Sequence, residues 1–350
     1  MYIPVLKNRT VEMSVLSQLA AIGVFDDQTV LPLIELIQEK TRTNNKNTVI
    51  EDISELLTAS PKISLMIDLP KSTRLNNTTD AIRNYVTLST RQPDFCVSEL
   101  QKLEPHSSNV IPVVSYLKDN ISLDRLSYET SEYRKSFPRL AFRVLTQDFE
   151  RVFSKIEELV FENDIVILDI ETSAHSSPVF KKIYKRISDS KKQRKFISII
   201  VNANRPETLT NKGMINGEPI AEIDNSLKEI YNLSMMNRFD GFGDYACIVA
   251  SLPSTGGTIS PAGIYYSKDN NFFVSYTGRK PNLSEFPEFI APSIVQSEYW
   301  AEYNKEHHEH CPGCLEIDAI INQKTSGKNQ AQWKKITMLH YIYTMFESKA

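Results

Sequence analysis

The chain repeats one pattern, a short apolar run that ends on a charged or polar residue. Seven such runs occur before residue 203: Ile3–Lys7, Leu31–Glu35, Ile63–Asp68, Val110–Ser115, Leu140–Arg143, Ile165–Asp169 and Phe196–Asn202. Continuous apolar runs of this length are typical of strands that are buried on both faces, as in parallel sheets. The pattern therefore predicts seven parallel strands.

Stretches with helical spacing of apolar residues lie between these runs. The clearest is Asp148–Phe161, and Glu12–Ile22, Thr79–Leu88 and Ser177–Ile187 show the same spacing more briefly. Strand and helix alternate at intervals of about 30 residues, which is typical of βαβ units.

An eighth strand is expected at Tyr245–Ala250, directly after the glycine-containing segment Asp240–Asp244. Eight strand–helix units in about 250 residues predict a closed (β/α)8 TIM-like barrel over residues 1–250. An open, doubly wound sheet is the alternative. No glycine-rich phosphate fingerprint follows any of the runs, and the chain has only 11 glycines, so the barrel is favoured.

Residues 251–350 depart from this rhythm. A β-hairpin is predicted at Gly263–Ser267 and Asn271–Tyr276. A charged helix is expected at Gln296–His310 and a closing amphipathic helix at Gln330–Phe346. We expect this part to be an elaboration packed on the barrel rather than an independent domain.

The composition agrees with an ordinary globular protein. Of the 350 residues, 41% are hydrophobic and 24% are charged, and the formal net charge of −3 provides no general attraction to nucleic acid. Four cysteines do not form a disulfide framework, and no signal peptide or membrane span is recognisable. A reduced, cytoplasmic protein without a membrane segment is expected.

The polar residues at the strand ends are the first candidates for chemistry, because barrel enzymes place their active sites at the C-terminal ends of the strands. The set consists of Lys7, Glu35, Asp68, Arg143, Asp169, Glu171, Asn202, Asp240 and Asp244. Clustered carboxylates bind Mg²⁺ or act as general acid and base, and the basic residues suit a phosphate or carboxylate substrate. Alternatively, these charges pair with one another in the rim of the barrel.

The segment Asp240–Asp244 has two aspartates four residues apart with two glycines between them. On a constrained turn they could hold a cation or orient a base. An ordinary tight turn with local hydrogen bonds explains the same residues equally well. The spacing is not that of a calcium loop.

A cluster of histidines and cysteines occupies residues 307–314. Cys311 and Cys314 form a C-x-x-C pair that could supply two ligands of a zinc site, with His310 as a third. A redox dithiol would need a thioredoxin-like context, which is not evident. A Pro-Gly turn with two half-buried thiols is the favoured alternative.

The segment Lys181–Lys195 contains eight lysines and arginines. It could follow a nucleic-acid backbone, but the solvated outer face of a helix explains the charges more simply.

Several segments resemble the "beta protein" family of phages and bacteria. They are Tyr2–Glu12, the strand around Pro32–Glu35, the Asp240–Asp244 turn with Gly256–Gly257, Ala262–Tyr265, and Trp333 with His340. The chain is also similar to a related group of bacterial proteins, usually encoded as one half of a two-gene pair. In that family the Trp precedes a His-His pair by seven residues. Tyr341 replaces the second histidine here, which argues against a catalytic role for the pair.

The resemblance implies a setting rather than catalytic residues. It implies that the gene lies on a mobile genetic element. For the paired group, it implies a role in antiphage defence together with a nuclease-like protein encoded by the neighbouring gene. Three hypotheses follow. The chain could be a defence component that acts with a protein partner and binds a phage-derived or nucleotide-like ligand. It could instead be a metal-dependent phosphodiesterase or nuclease that uses the strand-end carboxylates, or a non-catalytic immunity or scaffold protein. The cofactor is left open, with Mg²⁺ and Zn²⁺ as the candidates.

Overall fold

A computed structural model describes residues 1–39, 47–118, 120–203, 205–220, 239–253 and 259–348. Eight parallel strands close into a barrel in sequence order, and the eighth pairs with the first. The strands are β1 Tyr2–Lys7, β2 Leu33–Glu35, β3 Leu65–Asp68, β4 Val110–Val114, β5 Ala141–Leu145, β6 Ile165–Asp169, β7 Ile197–Asn202 and β8 Gly241–Asp244. The predicted (β/α)8 barrel is confirmed.

Helices connect the first seven strands, as the apolar spacing predicts. They are α1 Thr10–Ala21, α2 Val49–Ala59, α3 Asp80–Arg91, α4 Pro93–Gln101, α5 Leu123–Tyr133, α6 Phe149–Leu159 and α7 Phe180–Arg194. Thr48 and Glu51 form a reciprocal capping box at the start of α2, which satisfies two backbone N–H groups that a helix start would leave open.

The eighth strand does not lie where the sequence predicts it. Strand β8 is the glycine-containing segment itself, and Tyr245–Ala250 follows it as a loop. A Cβ atom on Gly241 would lie 2.4 Å from the carbonyl oxygen of Met1, and one on Gly243 would lie 2.5 Å from that of Ile3. The glycines therefore let β8 pack against β1 and close the barrel, although glycine usually indicates a turn.

The C-terminal part packs on the barrel. The predicted hairpin is present as β9 Ala262–Ser267 and β10 Phe272–Thr277, which pair antiparallel. Short helices follow at α8 Ala291–Val295, α9 Glu298–Ala301, α10 Lys305–His310 and α11 Pro312–Ile321, and α12 Gln330–Glu347 closes the chain. Residues of α12, including Met338 and Ile342, belong to the same apolar core as the barrel.

The prediction of a single charged helix at Gln296–His310 is wrong, because the segment forms two helices, α9 and α10, with a break between them. Asn304 ends the break, and its side chain accepts a hydrogen bond from the backbone N–H of His307, which starts a new helix. Helix α12 has nearly the predicted bounds. Gly256 and Gly257 lie outside the described residues. Among the helices that the structure describes, none is long and apolar enough to cross a membrane.

Candidate functional site

The mouth of the barrel is organised around one arginine. Arg143 on β5 donates hydrogen bonds to Glu35 Oε1 at 2.8 Å, to Asp68 Oδ2 at 3.2 Å and to Asp169 Oδ2 at 2.6 and 3.0 Å. It also donates to the hydroxyl of Tyr245, in the loop after β8. One guanidinium thus joins three carboxylates from three different strands.

Strand register explains why these residues meet. Lys7 of β1 is the partner of Glu35 in β2, and Glu35 is the partner of Asp68 in β3. Parallel strands of a barrel end at one face, and side chains alternate between the interior and the surrounding helices, so residues in register converge at the mouth.

A second set of contacts extends the network outward from Asp68. Asp68 accepts a hydrogen bond from the Ser115 hydroxyl at 2.6 Å, and Lys71 lies 3.4 Å from that hydroxyl. Lys71 also pairs with Glu129 of α5 at 3.2 Å, and Glu129 accepts a bond from Arg125 at 2.7 Å. These groups are largely buried, and each charge among them has an opposite charge or a hydroxyl within reach.

Lys7 completes the network on the other side. Its Nζ lies 3.6 Å from Glu35 Oε2 and donates to the backbone carbonyl of Val249 at 2.9 Å. The network therefore contains four cations (Lys7, Lys71, Arg125, Arg143) and four carboxylates (Glu35, Asp68, Glu129, Asp169). Its formal charge is balanced.

Burial changes the proton affinities within this network. It lowers the pKa of Lys7 and raises the pKa of Asp68, in each case against the attraction of opposite charges nearby. Burial alone would lower the pKa of Arg143, but Tyr245, Asp169 and the other carboxylates hold it well above its ordinary value. Arg143 therefore keeps its positive charge.

A cavity of about 860 Å³ opens above the network. Glu35, Asp68, Arg143, Asp169 and Tyr245 line it below, and Arg74, Lys118, Glu171 and Glu207 lie along its sides. Lys118 donates to both carboxylate oxygens of Glu171, at 2.8 and 3.0 Å, and so joins the loops after β4 and β6. The volume is within the range of small-molecule sites.

The loops at this face contain strained backbone. Glu171 has a φ of 52°, and Ala246 and Cys247 have φ values of 45° and 68°, a region that residues other than glycine rarely adopt. Such strain often occurs at functional sites. Glu171 in this conformation pairs with Lys118, and Ala246 and Cys247 form the turn that follows Tyr245.

The structure brings six of the predicted strand-end residues together at this end of the barrel: Lys7, Glu35, Asp68, Arg143, Asp169 and Glu171. Asn202 is also at a strand end, and it donates to the Ser173 carbonyl at 3.3 Å. Asp240 does not join them. It precedes β8 at the opposite end of the barrel, where it pairs with Lys191 and accepts from the Ser198 backbone N–H at 2.7 Å.

Asp244 is buried on the outer side of β8 and does not line the cavity. It accepts hydrogen bonds from Tyr2 at 2.8 Å, from Tyr341 of α12, and from the Ala246 N–H at 2.8 Å. Asp244 therefore joins the barrel to the C-terminal helix. Alternating side-chain direction separates it from the mouth, although it also ends a strand.

Ser115, Lys71, Arg125, Glu129 and Tyr245 are among the mouth residues that sequence reasoning did not select. Ser115 ends the fourth apolar run, so its position was a usable signal. Glu129 lies on a helix 61 residues after Asp68 in the numbering, and no local pattern connects the two.

A second group of chemically notable residues lies in the C-terminal part. His307, Cys311, Cys314 and His340, called the Cys/His cluster below, are buried, and their four ligand atoms all lie within 4.8 Å of one another. His310 does not belong to it, since its Nδ1 faces the Glu306 carbonyl at 2.8 Å on the exposed side of α10. His307 was detectable in the sequence because residues four apart share a helical face, as His307 and Cys311 do.

Lysines and arginines of the basic segment form ion pairs along α7. Lys185 and Lys192 both pair with Asp189, and Arg186 pairs with Glu150 and Glu157. These pairs agree with the interpretation of this segment as a solvated helix face.

Solved structures with a similar fold include a family 18 chitinase from Crocus vernus, with 9% identity and a TM-score of 0.41, covering 69% of this chain and 91% of that chain. The tryptophan synthase complex from Pyrococcus furiosus gives 11% identity and a TM-score of 0.39, with 70% and 86% covered. The GH26 endo-β-1,4-mannanase catalytic domain of Bacillus sp. JAMB-750 has 8% identity and a TM-score of 0.43, and the match covers 77% of this chain and 81% of that chain. Similarity this weak carries no argument about activity.

The sequence comparisons are more specific. Among curated proteins, none matches the chain. The family model described as Beta protein matches residues 2–347, nearly the whole chain. The chain therefore belongs to the Beta protein family, as its opening segment and its Trp333–His340 spacing indicate.

Proposed function

We propose that the protein binds a small nucleotide-like ligand in the mouth of its barrel. We further propose that it acts with a protein partner in a conflict system between phages and bacteria. The observation that carries the ligand site is the Arg143 network, which forms a buried, charge-balanced floor below a cavity of about 860 Å³.

The balanced floor supports a binding site that is formed before the ligand arrives. Arg143 already bonds to three carboxylates, so the ligand has no buried charge to neutralise there. Recognition would then depend on the sides of the cavity, where Arg74 offers a cation for phosphate oxygens and Lys118 offers a second one beside its partner Glu171. Tyr116 and Tyr245 add aromatic surface for a base.

The same contacts disfavour a metal-dependent hydrolase at this position. Glu35, Asp68 and Asp169 all direct oxygens at the Arg143 guanidinium, which stands where a cation bridging these carboxylates would have to lie. A metal ion there would have to displace a charged, buried side chain. Membership of the Beta protein family, together with the resemblance to proteins encoded in gene pairs, supports the proposed role in conflict between phages and bacteria and the proposed protein partner.

The ligand is tested by titrating the full chain with nucleoside mono-, di- and triphosphates and with cyclic nucleotides, and measuring heat and thermal unfolding. We expect at least one of them to bind and to raise the unfolding temperature. Lys118→Ala should weaken that binding at least tenfold. Lys185→Ala, on the exposed face of α7, is the matched control and should bind like the wild type.

Two outcomes would contradict the proposal. One is the absence of binding by the whole panel. The other is cleavage of a nucleotide or nucleic acid in the presence of Mg²⁺ or Mn²⁺ that is lost in Asp169→Asn, which would favour the hydrolase. The partner is tested separately, by co-purification of the tagged chain with the product of the neighbouring gene.

A further inference from the structure

We propose that His307, Cys311, Cys314 and His340 form a structural zinc site that holds the C-terminal helices together. The four residues come from α10, from the start of α11 and from α12, and all are buried. The site is separate from the barrel mouth and does not depend on the ligand proposed there.

Three distances within the Cys/His cluster, all measured from His340 Nδ1, match those of a tetrahedral zinc site. Zn–N bonds of about 2.0–2.1 Å and Zn–S bonds of about 2.3 Å place two nitrogen ligands about 3.4 Å apart, and a nitrogen and a sulfur about 3.6 Å apart. His307 Nε2 lies 3.4 Å from His340 Nδ1. The sulfur atoms of Cys311 and Cys314 each lie 3.6 Å from that same Nδ1.

The ring nitrogens that face away from the cluster have the partners expected of zinc ligands. Nδ1 of His307 lies 2.5 Å from Glu347 Oε2, and Nε2 of His340 lies 3.3 Å from the Tyr266 carbonyl oxygen. A carboxylate or a carbonyl at the outer nitrogen fixes the tautomer that leaves the inner nitrogen free to bind metal. Both histidines therefore present the correct atom to the same point.

Further contacts hold the ligands in place. The Tyr265 ring stacks on the His340 ring at 4.0 Å, and its hydroxyl lies 3.7 Å from Cys314 Sγ, where it can donate to a thiolate. Gly313 lets α11 approach α12 closely, since a Cβ atom there would lie 2.7 Å from His340 Cβ. Two sulfur and two nitrogen ligands favour zinc over Mg²⁺ or Ca²⁺, which prefer oxygen ligands.

The closed ligand set assigns the zinc a structural role. A catalytic zinc keeps one position open for water or substrate, whereas a structural zinc has four protein ligands. Here all four positions are taken by protein atoms. The metal would connect α10, α11 and α12 beside β9, in a part of the chain made of short helices.

The first test measures the metal content of the full-length protein purified without added chelator. We expect about one zinc ion per chain. His307→Ala and Cys314→Ser should each retain less than half of it. The matched controls are His310→Ala, a neighbouring histidine on the exposed side of α10, and Cys247→Ser, a buried thiol outside the cluster, and both should retain it.

The second test keeps the proposal falsifiable if the variants fail to fold. The wild-type protein is stripped of metal under reducing conditions and titrated with Co²⁺, which should give the visible absorption of a tetrahedral thiolate complex. Zn²⁺ should restore the lost unfolding temperature and Mg²⁺ should not. Absence of zinc after purification combined with absence of Co²⁺ absorption would overturn the site, as would zinc that depends on His310 and not on His307.

Discussion

The barrel mouth and the Cys/His cluster are both buried groups of polar side chains, yet they are built in opposite ways. In the mouth, charges from five strands neutralise one another, and a cavity of about 860 Å³ remains above them. In the cluster, four ligand atoms converge within 4.8 Å. The mouth leaves room for a molecule, and the cluster leaves room for an ion.

The difference also lies in how the charges are satisfied. Each carboxylate that faces Arg143 has a protein cation as its partner, so removing the arginine takes away a positive charge that three buried carboxylates share. The thiols and imidazoles of the cluster direct their ligand atoms at one another rather than at a protein cation. A metal ion would supply the missing positive charge there.

The largest effect is expected from Arg143→Met. The change removes the cation shared by Glu35, Asp68 and Asp169 in a buried site, and breaking such a network typically costs about 3–5 kcal/mol. Denaturant unfolding should show that loss in the free energy of unfolding. Arg186→Met is the control, because this partly exposed arginine pairs with Glu150 and Glu157 and should cost at most about 1 kcal/mol. Equal losses in the two variants would show that the network is not a special contributor.

A smaller and more local effect is expected from Gly313→Ala. The added methyl group would lie 2.7 Å from His340 Cβ and from the Ile336 carbonyl oxygen, so α11 and α12 must move apart, at a cost of about 1–3 kcal/mol. The zinc content should fall with the stability, whereas ligand binding in the mouth should not change. In the control Gly213→Ala, the nearest atom would be a Leu209 methyl at 3.6 Å, and neither the stability nor the zinc content should change. If Gly313→Ala kept its full zinc content, the metal site would not depend on the close packing of α11 against α12.

The smallest effect concerns the pH dependence of Asp68. Burial raises its folded-state pKa above the unfolded value of about 4, so the folded state binds the proton more tightly. The contribution of this group to stability is therefore fully present below about pH 4 and declines as the pH rises through the folded-state pKa. Asp68→Asn cannot titrate and should lose less stability than the wild type over that window. Parallel pH profiles from urea unfolding would contradict this assignment.

The sequence predicted the barrel well because burial on both faces has a local signature. Seven apolar runs correspond to seven strands, and most of their final polar residues reach the mouth. It misplaced β8 because Gly241 and Gly243 are local signals for a turn. Only the contact with β1 shows why a strand needs them, since that contact leaves no space for a Cβ atom.

For the Cys/His cluster, the C-x-x-C pair was visible in the sequence, and His310 was selected as the third ligand instead of His307 and His340. His310 is next to Cys311 in the chain but faces solvent, whereas His340 is 29 residues away and touches both thiols. Adjacency in sequence does not determine the direction of a side chain on a helix.

The sequence by itself therefore determined the alternation of strands and helices, the closing amphipathic helix and the polar strand ends, because each depends on periodicity within a few residues. The tertiary structure alone decided that Arg143 joins Glu35, 108 residues earlier, that Asp240 lies at the other end of the barrel, and that His307 meets His340. Barrel closure and helix packing bring these groups together, and no local pattern of residues encodes which distant charge or ligand each one will meet.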